Sequence, residues 1–587
     1  MNAKAALLEV DGLTVSTRTD AVVVDGVTFR VTAGQTLAIV GESGSGKSIT
    51  ARAITGLLSP DLRMGGAVRI AGRQLEEASE RDWRDVRGSD ITWLPQDPFT
   101  MLSPLRRVRD AINDNAAQAA DTETLRNRLL EVGIADASIL SKYPFQLSGG
   151  LRQRVGIAAA LSSDPRILVA DEPTTALDVT SERKVLDLLR RIQAARGLAI
   201  LLITHDLSVA MSVADRVAVM YAGRIVETFT PAELELAGPK HPYTRALLLA
   251  RPPIDRKVGD LPTVRGGVPT PALRRSRCVF ADRCEFAIDE CIAEAPPLRP
   301  VGTRQTACIR ELDLSAATRA VTRVERAATS EDLVLRASDI RKAFGSHQAL
   351  AGVSIEVRKG QIVGIIGESG SGKTTLGRII AGLETADSGT LALTAGAPTR
   401  PVGRANPVQM VFQDPSGTLN PAHTVGAILS QALASGGAPS SMSHAAALLE
   451  RVGLDRDMVR RKAASLSGGQ RQRVAIARGL APGARVLVCD EPTSALDVMV
   501  QAQILNLLRD IRETTDVAML FVTHDLGVAR QMTDYLYVLR DGRCVEHGTT
   551  ESLFESPQHE YTQTLIRLPQ VHKTSLSRHP SHDLNDW

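Results

Sequence analysis

The 587-residue sequence predicts an α/β protein made of two similar phosphate-binding domains, with a small irregular cysteine-containing module after the first. Three observations carry that prediction. GESGSGKS at 41–48 returns as GESGSGKT at 367–374, offset by 326 residues on the lysines. In both places an apolar β-type run, TLAIV at 36–40 or QIVGII at 361–366, leads into the glycine-rich loop, and a helical pattern comes after it. An apolar strand ending in acid then recurs, RILVADE at 166–172 and RVLVCDE at 485–491, offset by 319. LSGG at 147–150 and 466–469, and ITHDL at 203–207 against VTHDL at 522–526, keep that 319-residue spacing, so the landmarks repeat in one order.

Composition bounds the reading. Hydrophobic residues at 43% and charged residues at 23% fit a globular protein and argue against disorder or a disulfide miniprotein. A net charge of +3 gives no support to a global electrostatic grip on nucleic acid, and none is expected as a partner. The longest apolar runs, such as LAILLIT at 198–204, are too short to cross a bilayer, which takes roughly 20 apolar residues. The start, MNAKAALLEVDGLTV, has no apolar core of signal-peptide length, so a cytoplasmic protein is expected.

Each glycine-rich loop has the spacing G-x-x-x-x-G-K-[ST], which turns successive backbone N–H groups inward around an anion at a helix start. In the first copy the cradle is Gly41, Ser43, Gly44, Ser45, Gly46, Lys47, Ser48 and Ile49. In the second it is Gly367, Ser369, Gly370, Ser371, Gly372, Lys373, Thr374 and Thr375. Lys47 and Lys373 are expected to reach the β- and γ-phosphates, and Ser48 and Thr374 to offer a hydroxyl to Mg2+, which prefers hard oxygen ligands. A buried strand would carry Asp171 or Asp490 to that metal, and Glu172 or Glu491, one residue on, is the candidate general base toward the attacking water.

LSGGLRQR at 147–154 and LSGGQRQR at 466–473, upstream of the Asp-Glu pairs and followed by ITHD or VTHD, resemble the ATP-binding cassette superfamily over almost the whole of both halves. The resemblance implies two cassettes, each a RecA-like α/β core with an antiparallel β part and a helical subdomain. It implies that two ATP molecules are held head to tail, Ser148, Gly149 and Gly150 completing the site of Lys373, and Ser467, Gly468, Gly469 and Gln470 that of Lys47. It also implies that Gln96 and Gln413 touch the magnesium, that His205 and His524 contact the γ-phosphate, and that Asp178 and Asp497 lie in loops joining the two sites. Phe344 matches the aromatic that stacks on adenine, whereas the first half has about Thr17 there, and Leu151 stands where the second half has Gln470.

DPFTMLSPL at 97–105 and DPSGTLNPA at 414–422, with HPYT at 241–244 and HEYT at 559–562, resemble the ATPases of oligopeptide, dipeptide and nickel importers. That implies ATP hydrolysis coupled to import through two separate transmembrane permease subunits, with an extracytoplasmic peptide-binding protein and a place on the cytoplasmic face of the membrane. The permease groove is expected on 97–146 and 414–465. Import of nickel or another solute, and a soluble twin-cassette ATPase working on ribosomes or DNA, are the alternatives.

Residues 252–300 hold eight of the 29 prolines, a composition that breaks helices and central strands. Cys278, Cys284, Cys291 and Cys308 fall there and just beyond, spaced C-x5-C-x6-C-x16-C. Zinc sites usually include one closer pair, so zinc, a [4Fe–4S] cluster and unliganded thiols all stay open. The spacing also matches the extension of peptide-importer ATPases, whose resemblance implies the iron–sulfur cluster. Cys489 and Cys544 are expected to be packing residues. The expected division is a first cassette at 1–250, a cysteine module at 251–312, a linker at 313–331, a second cassette at 332–570 and a polar tail at 571–587.

Overall fold

The computed structural model describes residues 6–97, 101–114, 116, 120–175, 177–264, 266–271, 274–314, 331–393, 406–494 and 496–567. The expected tail and nearly all of the expected linker lie outside them. The chain divides into two compact units: 1–250 with 262–319 and 497–499, and 251–261 with 320–496 and 500–587.

In the first unit the strands are β1 (Ala6–Thr17), β2 (Val22–Thr32), β3 (Thr36–Val40), β4 (Leu62–Ile70), β5 (Arg73–Gln74), β6 (Ile91–Leu94), β7 (Ile167–Asp171), β8 (Ala199–Thr204), β9 (Arg216–Tyr221), β10 (Arg224–Phe229), β11 (Arg299–Val301) and β12 (Arg304–Thr306). β1 and β2 alternate buried and exposed residues along much of their length and belong to an antiparallel sheet, β2-β1-β4-β5. β3, β7 and β8 are buried at every residue, as strands covered on both faces must be, and form the parallel heart of the sheet β11-β12-β10-β9-β3-β8-β7-β6. One core, including Leu8, Val31, Ile39, Ile54, Val169 and Leu201, joins the two sheets.

The second unit repeats this plan. Its strands are β13 (Leu333–Phe344), β14 (His347–Arg358), β15 (Ile362–Ile366), β16 (Ser388–Leu393), β17 (Val408–Val411), β18 (Val486–Asp490), β19 (Ala518–Val522), β20 (Tyr535–Arg540) and β21 (Arg543–Thr549). They form the antiparallel sheet β14-β13-β16 and the sheet β17-β18-β19-β15-β20-β21, the order of β6 through β10 in the first unit. The expected helical segments also occur twice, as Val108–Asp114 and Thr122–Glu131, then Val425–Ser435 and Met442–Arg451.

Register explains why the repeated motifs meet. Val40 at the end of β3 faces Thr204 at the end of β8, and Asp171 at the end of β7 faces Ile203. In the second unit Ile365 and Asp490 both face Val522. Carboxyl ends of adjacent parallel strands thus bring loop, acid pair and histidine to one edge, where open α/β sheets bind ligands.

The cysteine segment differs from the irregular module expected of it. β12 pairs with β10, Thr306 facing Glu227, and β11 pairs with β12, so the segment extends the first unit's main sheet. Proline is compatible with this because Pro300 lies on the outermost strand, where a missing N–H breaks no ladder. Residues 251–261, by contrast, count with the second unit.

Candidate functional site

In the first unit the glycine-rich loop joins β3 to the helix Lys47–Ile54. Gly46 caps that helix at φ 104°, a left-handed conformation that disfavours any side chain, and a Cβ on Gly41 would stand 2.1 Å from the Met220 carbonyl oxygen. Lys47 is buried, and its Nζ donates to the carbonyls of Gly41 (2.7 Å) and Glu42 (2.8 Å). Ser48 Oγ donates to Asp171 Oδ1 at 3.2 Å, which places a hydroxyl and a carboxylate side by side. Burial pushes the Lys47 ammonium down, against the pull of carboxylates led by Glu172, and pushes the Asp171 carboxyl up.

Glu172 follows Asp171 with φ 48°, a positive value unusual for a residue with a side chain. Its Oε2 accepts from Gln96 Nε2 (2.9 Å) and Thr175 Oγ1 (2.9 Å), and lies 3.2 Å from His205 Nδ1. Burial alone would raise the Glu172 carboxyl. The hydrogen bond and charge of His205, with Thr175 and Lys47, outweigh it and hold the carboxyl below its ordinary range. His205 moves the other way: burial disfavours its charge, but Glu172 lifts it above the ordinary imidazole value.

The second unit builds the same arrangement. Lys373 Nζ donates to Gly367 O (2.8 Å) and Glu368 O (2.6 Å), and Thr374 Oγ1 to Asp490 Oδ1 (3.1 Å). Glu491, at φ 46°, accepts from Gln413 Nε2 (2.9 Å) and lies 2.9 Å from His524 Nδ1. Burial raises Asp490; it also opposes the Glu491 and His524 shifts, which the contact between the two nevertheless drives down and up respectively.

The LSGG serines cap helices. Ser148 Oγ accepts from Leu151 N (3.4 Å) at the start of Gly149–Ala160, and Ser467 Oγ from Gln470 N (3.3 Å) at the start of Gly468–Leu480. Only the second closes a capping box, Gln470 Oε1 accepting the Ser467 N–H at 3.0 Å. Asp178 caps Val179–Arg196 through Ser181 N (2.8 Å), and Asp497, nearly buried, precedes the helix Val498–Thr515. Thr17 and Phe344 end β1 and β13; Phe344 is half exposed, with Lys342 Nζ 5.2 Å from its ring centre.

Sequence reasoning missed the groups that hold the loops from behind. The Glu42 N–H donates to the Tyr243 hydroxyl (2.9 Å), and the Glu368 N–H to that of Tyr561 (3.0 Å). His241 Nδ1 accepts the Tyr243 N–H and His559 Nδ1 the Tyr561 N–H, each at 3.1 Å. Glu227 accepts the N–H groups of Lys240 (2.8 Å) and His241 (3.0 Å), as Glu546 does from Gln558 (2.7 Å) and His559 (3.1 Å). The signal was the repeat itself, HPYT against HEYT, which gave no reason why its tyrosine should reach a phosphate loop.

All four module cysteines line one cavity of about 20 Å³, with His241, Phe280 and Phe286. Backbone N–H groups of Phe280 and Ala281 face the Cys278 sulfur, that of Phe286 faces Cys284, and that of Arg310 faces Cys308. Four thiols with N–H donors suit a metal cluster in kind, but the space holds about one water. Among the described residues no three or more His, Cys, Asp or Glu side chains are arranged to hold a metal ion, so the expected cluster site is not formed as a ligand set. Cys489 is fully buried in β18 as a packing residue, and Cys544 is partly buried against the core of the second unit.

Two phosphate loops, each beside a strand-end Asp-Glu pair, a glutamine and a histidine, and each with its own LSGG-capped helix, define a twin-cassette nucleotide hydrolase. The family model described as ABC transporter matches residues 24–175 and 350–494, and that of the oligopeptide/dipeptide transporter C-terminal region matches 226–291 and 545–580. The chain belongs to the ABC transporter family and is an ATPase of that family. It is 39% identical to the oligopeptide transport ATP-binding protein OppD of Mycobacterium tuberculosis, over 95% of this chain and 98% of that one. It is 37% identical to the peptidoglycan transport ATP-binding protein YejF of Agrobacterium fabrum, over 93% and 92%. With the glutathione import ATP-binding protein GsiA of Escherichia coli K12 it shares 36%, over 94% and 88%. Among solved structures, the archaeal ribosome recycling factor aABCE1 matches with a TM-score of 0.56 at 20% identity, covering 91% of this chain and 90% of that one, a likeness of fold alone. Among the described residues no helix is long and apolar enough to cross a membrane.

Proposed function

We propose that the chain is the ATP-hydrolysing subunit of an importer for dipeptides or oligopeptides, working at the cytoplasmic face of the membrane on two separate permease subunits supplied by an extracytoplasmic binding protein. The observation that carries the reading is that a peptide-transporter C-terminal match follows each of the two ABC transporter matches. Near-full-length similarity to proteins named for oligopeptide, peptidoglycan and glutathione transport supports the substrate class.

At each loop the backbone N–H groups and the lysine would bind the β- and γ-phosphates. Ser48, Asp171 and Gln96, or Thr374, Asp490 and Gln413, offer hard oxygens to Mg2+. When bound, that ion offsets the charge on the phosphates, and its positive charge also relieves the cost of burying the aspartate. Glu172 and Glu491 are held ionised and aimed by a glutamine, a histidine and a hydroxyl, Thr175 in the first unit and Ser494 in the second, which suits them to orient water and accept its proton. On the family resemblance, each LSGG serine and its glycines work on the nucleotide of the other loop, and Asp178 and Asp497 link the two sites. The domain limits expected from the sequence remain part of this proposal.

Replacing Glu172→Gln and Glu491→Gln together should cut phosphate release at least about 100-fold, while either change alone leaves measurable turnover. Unchanged turnover in the double variant would remove both glutamates from the catalytic role. For the thiols, the reading carried from the family resemblance is a [4Fe–4S] cluster held by Cys278, Cys284, Cys291 and Cys308, with zinc as the alternative, and the 20 Å³ cavity that they share does not accommodate it as it stands. Binding it would require the cavity to open. Iron, sulfide and zinc analysis of protein prepared without oxygen tests this, and the absence of all three leaves free thiols.

A further inference from the structure

Arg283 lies between Cys278 and Cys284, in the short turn Ala281–Arg283, and its side chain is 4% exposed. Its Nη1 donates to both carboxylate oxygens of Glu42 (3.2 and 2.9 Å) and to the Tyr221 hydroxyl (3.1 Å). Glu42 is the second residue of the first phosphate loop, and its own side chain is only 8% exposed. That residue is therefore held twice, its N–H by Tyr243 and its carboxylate by the cysteine segment, while its carbonyl receives Lys47 Nζ. Phe280, two residues after Cys278, packs its ring 5.3 Å from Tyr221 and 5.4 Å from Tyr243.

The second unit supplies the comparison. VMYAGR, which contains Tyr221, matches VLRDGR, so Arg540 stands at the position of Tyr221. The Arg540 guanidinium carbon lies 4.9 Å from the ring centre of Tyr561, the tyrosine that receives the Glu368 N–H. A guanidinium therefore sits beside the tyrosine–loop contact in both units. In the second it comes from the neighbouring strand β20, and in the first it comes from the four-cysteine segment.

We propose that Arg283 is a positioning residue for the first nucleotide site, so that ATP binding at the 41–48 loop depends on the seating of the cysteine segment while binding at the 367–374 loop does not. The proposal rests on the reading of both loops as ATP sites. The charge argument is direct. Glu42 is a buried carboxylate in a loop built to receive phosphates, and removing the partner of a buried charge costs far more than trimming a surface pair. Arg283 neutralises that carboxylate and keeps it turned away from the anion. Without it, Glu42 either repels the triphosphate or takes up a proton and shifts the loop.

The test uses the full-length chain and a fluorescent ATP analogue without magnesium, so that nothing turns over. Binding is measured in a Lys373→Ala background to report the first loop and in a Lys47→Ala background to report the second. Arg283→Ala should weaken analogue binding about tenfold or more at the first loop and less than about twofold at the second. Adding Glu42→Gln, which removes the orphaned charge, or Tyr221→Arg, which puts the guanidinium where the second unit has it, should restore most of the affinity. Unchanged first-loop binding in Arg283→Ala overturns the proposal, as does a loss at both loops together or a loss that neither second change relieves. Absence of first-loop binding in the Lys373→Ala chain that still carries Arg283 would instead refute the ATP-site reading beneath it.

Discussion

Buried polar residues behind the phosphate loops are specified one atom at a time, and His241 shows the consequence for acid stability. Its ring is fully buried, and burial pushes it down to about 3, from an ordinary 6.5. Neutrality is also required by its contact, because Nδ1 must be free to accept the Tyr243 N–H. Above pH 6.5 the ring is neutral both folded and unfolded, and it contributes no pH dependence. As pH falls from 6.5 toward 3 the unfolded chain takes up a proton that the folded chain refuses, so stability is lost at up to about 1.4 kcal/mol per pH unit. Thermal unfolding followed between about pH 7.5 and 5 should show this slope, and His241→Gln, which keeps an acceptor but does not titrate, should flatten it. A slope unchanged by His241→Gln would assign the acid sensitivity to other groups.

Helices, strands and their caps explain how far the sequence could be read. The paired loop, acid strand and histidine were legible because each is a local pattern: a short, largely apolar run such as 36–40 followed at once by the glycine spacing reads as a buried strand feeding a phosphate-binding turn. The tyrosine support was not legible, since Glu42 and Tyr243 are 201 residues apart and meet only after the sheet has formed. The edge hairpin of β11 and β12 was hidden for another reason. Its strands are three residues each and one contains Pro300, so neither periodicity nor propensity marks them. One local difference between the halves was visible and now has a structural meaning: Leu151 leaves the first LSGG helix without the reciprocal bond that Gln470 makes to Ser467 N. Leu151→Gln should close that box and stabilise the helix start by roughly 0.5 kcal/mol, and Gln470→Leu should open the other by as much. Hydrogen exchange at the Ser148 and Ser467 amides checks both, slowing in the first variant and quickening in the second.

Across the whole molecule the chain does not pass from one unit to the next in a single step, because residues 251–261 count with the second unit before 262–319 rejoin the first. Within the second unit this short segment is gripped by side chains rather than by a sheet. Gln531, 1% exposed, donates to the carbonyls of Pro253 (2.8 Å) and Arg256 (2.6 Å) and accepts the Val258 N–H (2.8 Å). Asn506 exchanges both backbone bonds with Leu261, at 3.0 and 2.8 Å, and Arg530 donates to Ile254 O at 2.8 Å. The segment joins no sheet and Pro252 and Pro253 have no N–H to give, so amide and guanidinium side chains satisfy its backbone instead. The segment contains two tryptic sites, Arg256 and Lys257, and Gln531 holds the backbone on both sides of them. A protease needs that stretch extended and free, so cleavage there reports local opening. Gln531→Ala removes three backbone bonds at once and should speed tryptic cleavage after Arg256 or Lys257 about tenfold or more, since each bond is worth about 1 kcal/mol. Asn506→Ala, acting at Leu261, should speed it less. Limited proteolysis with mass spectrometry of the first fragments decides the matter: equal cleavage rates with and without Gln531 would mean that the segment is held by its apolar contacts, Ile254 among them, and not by the side-chain clamp.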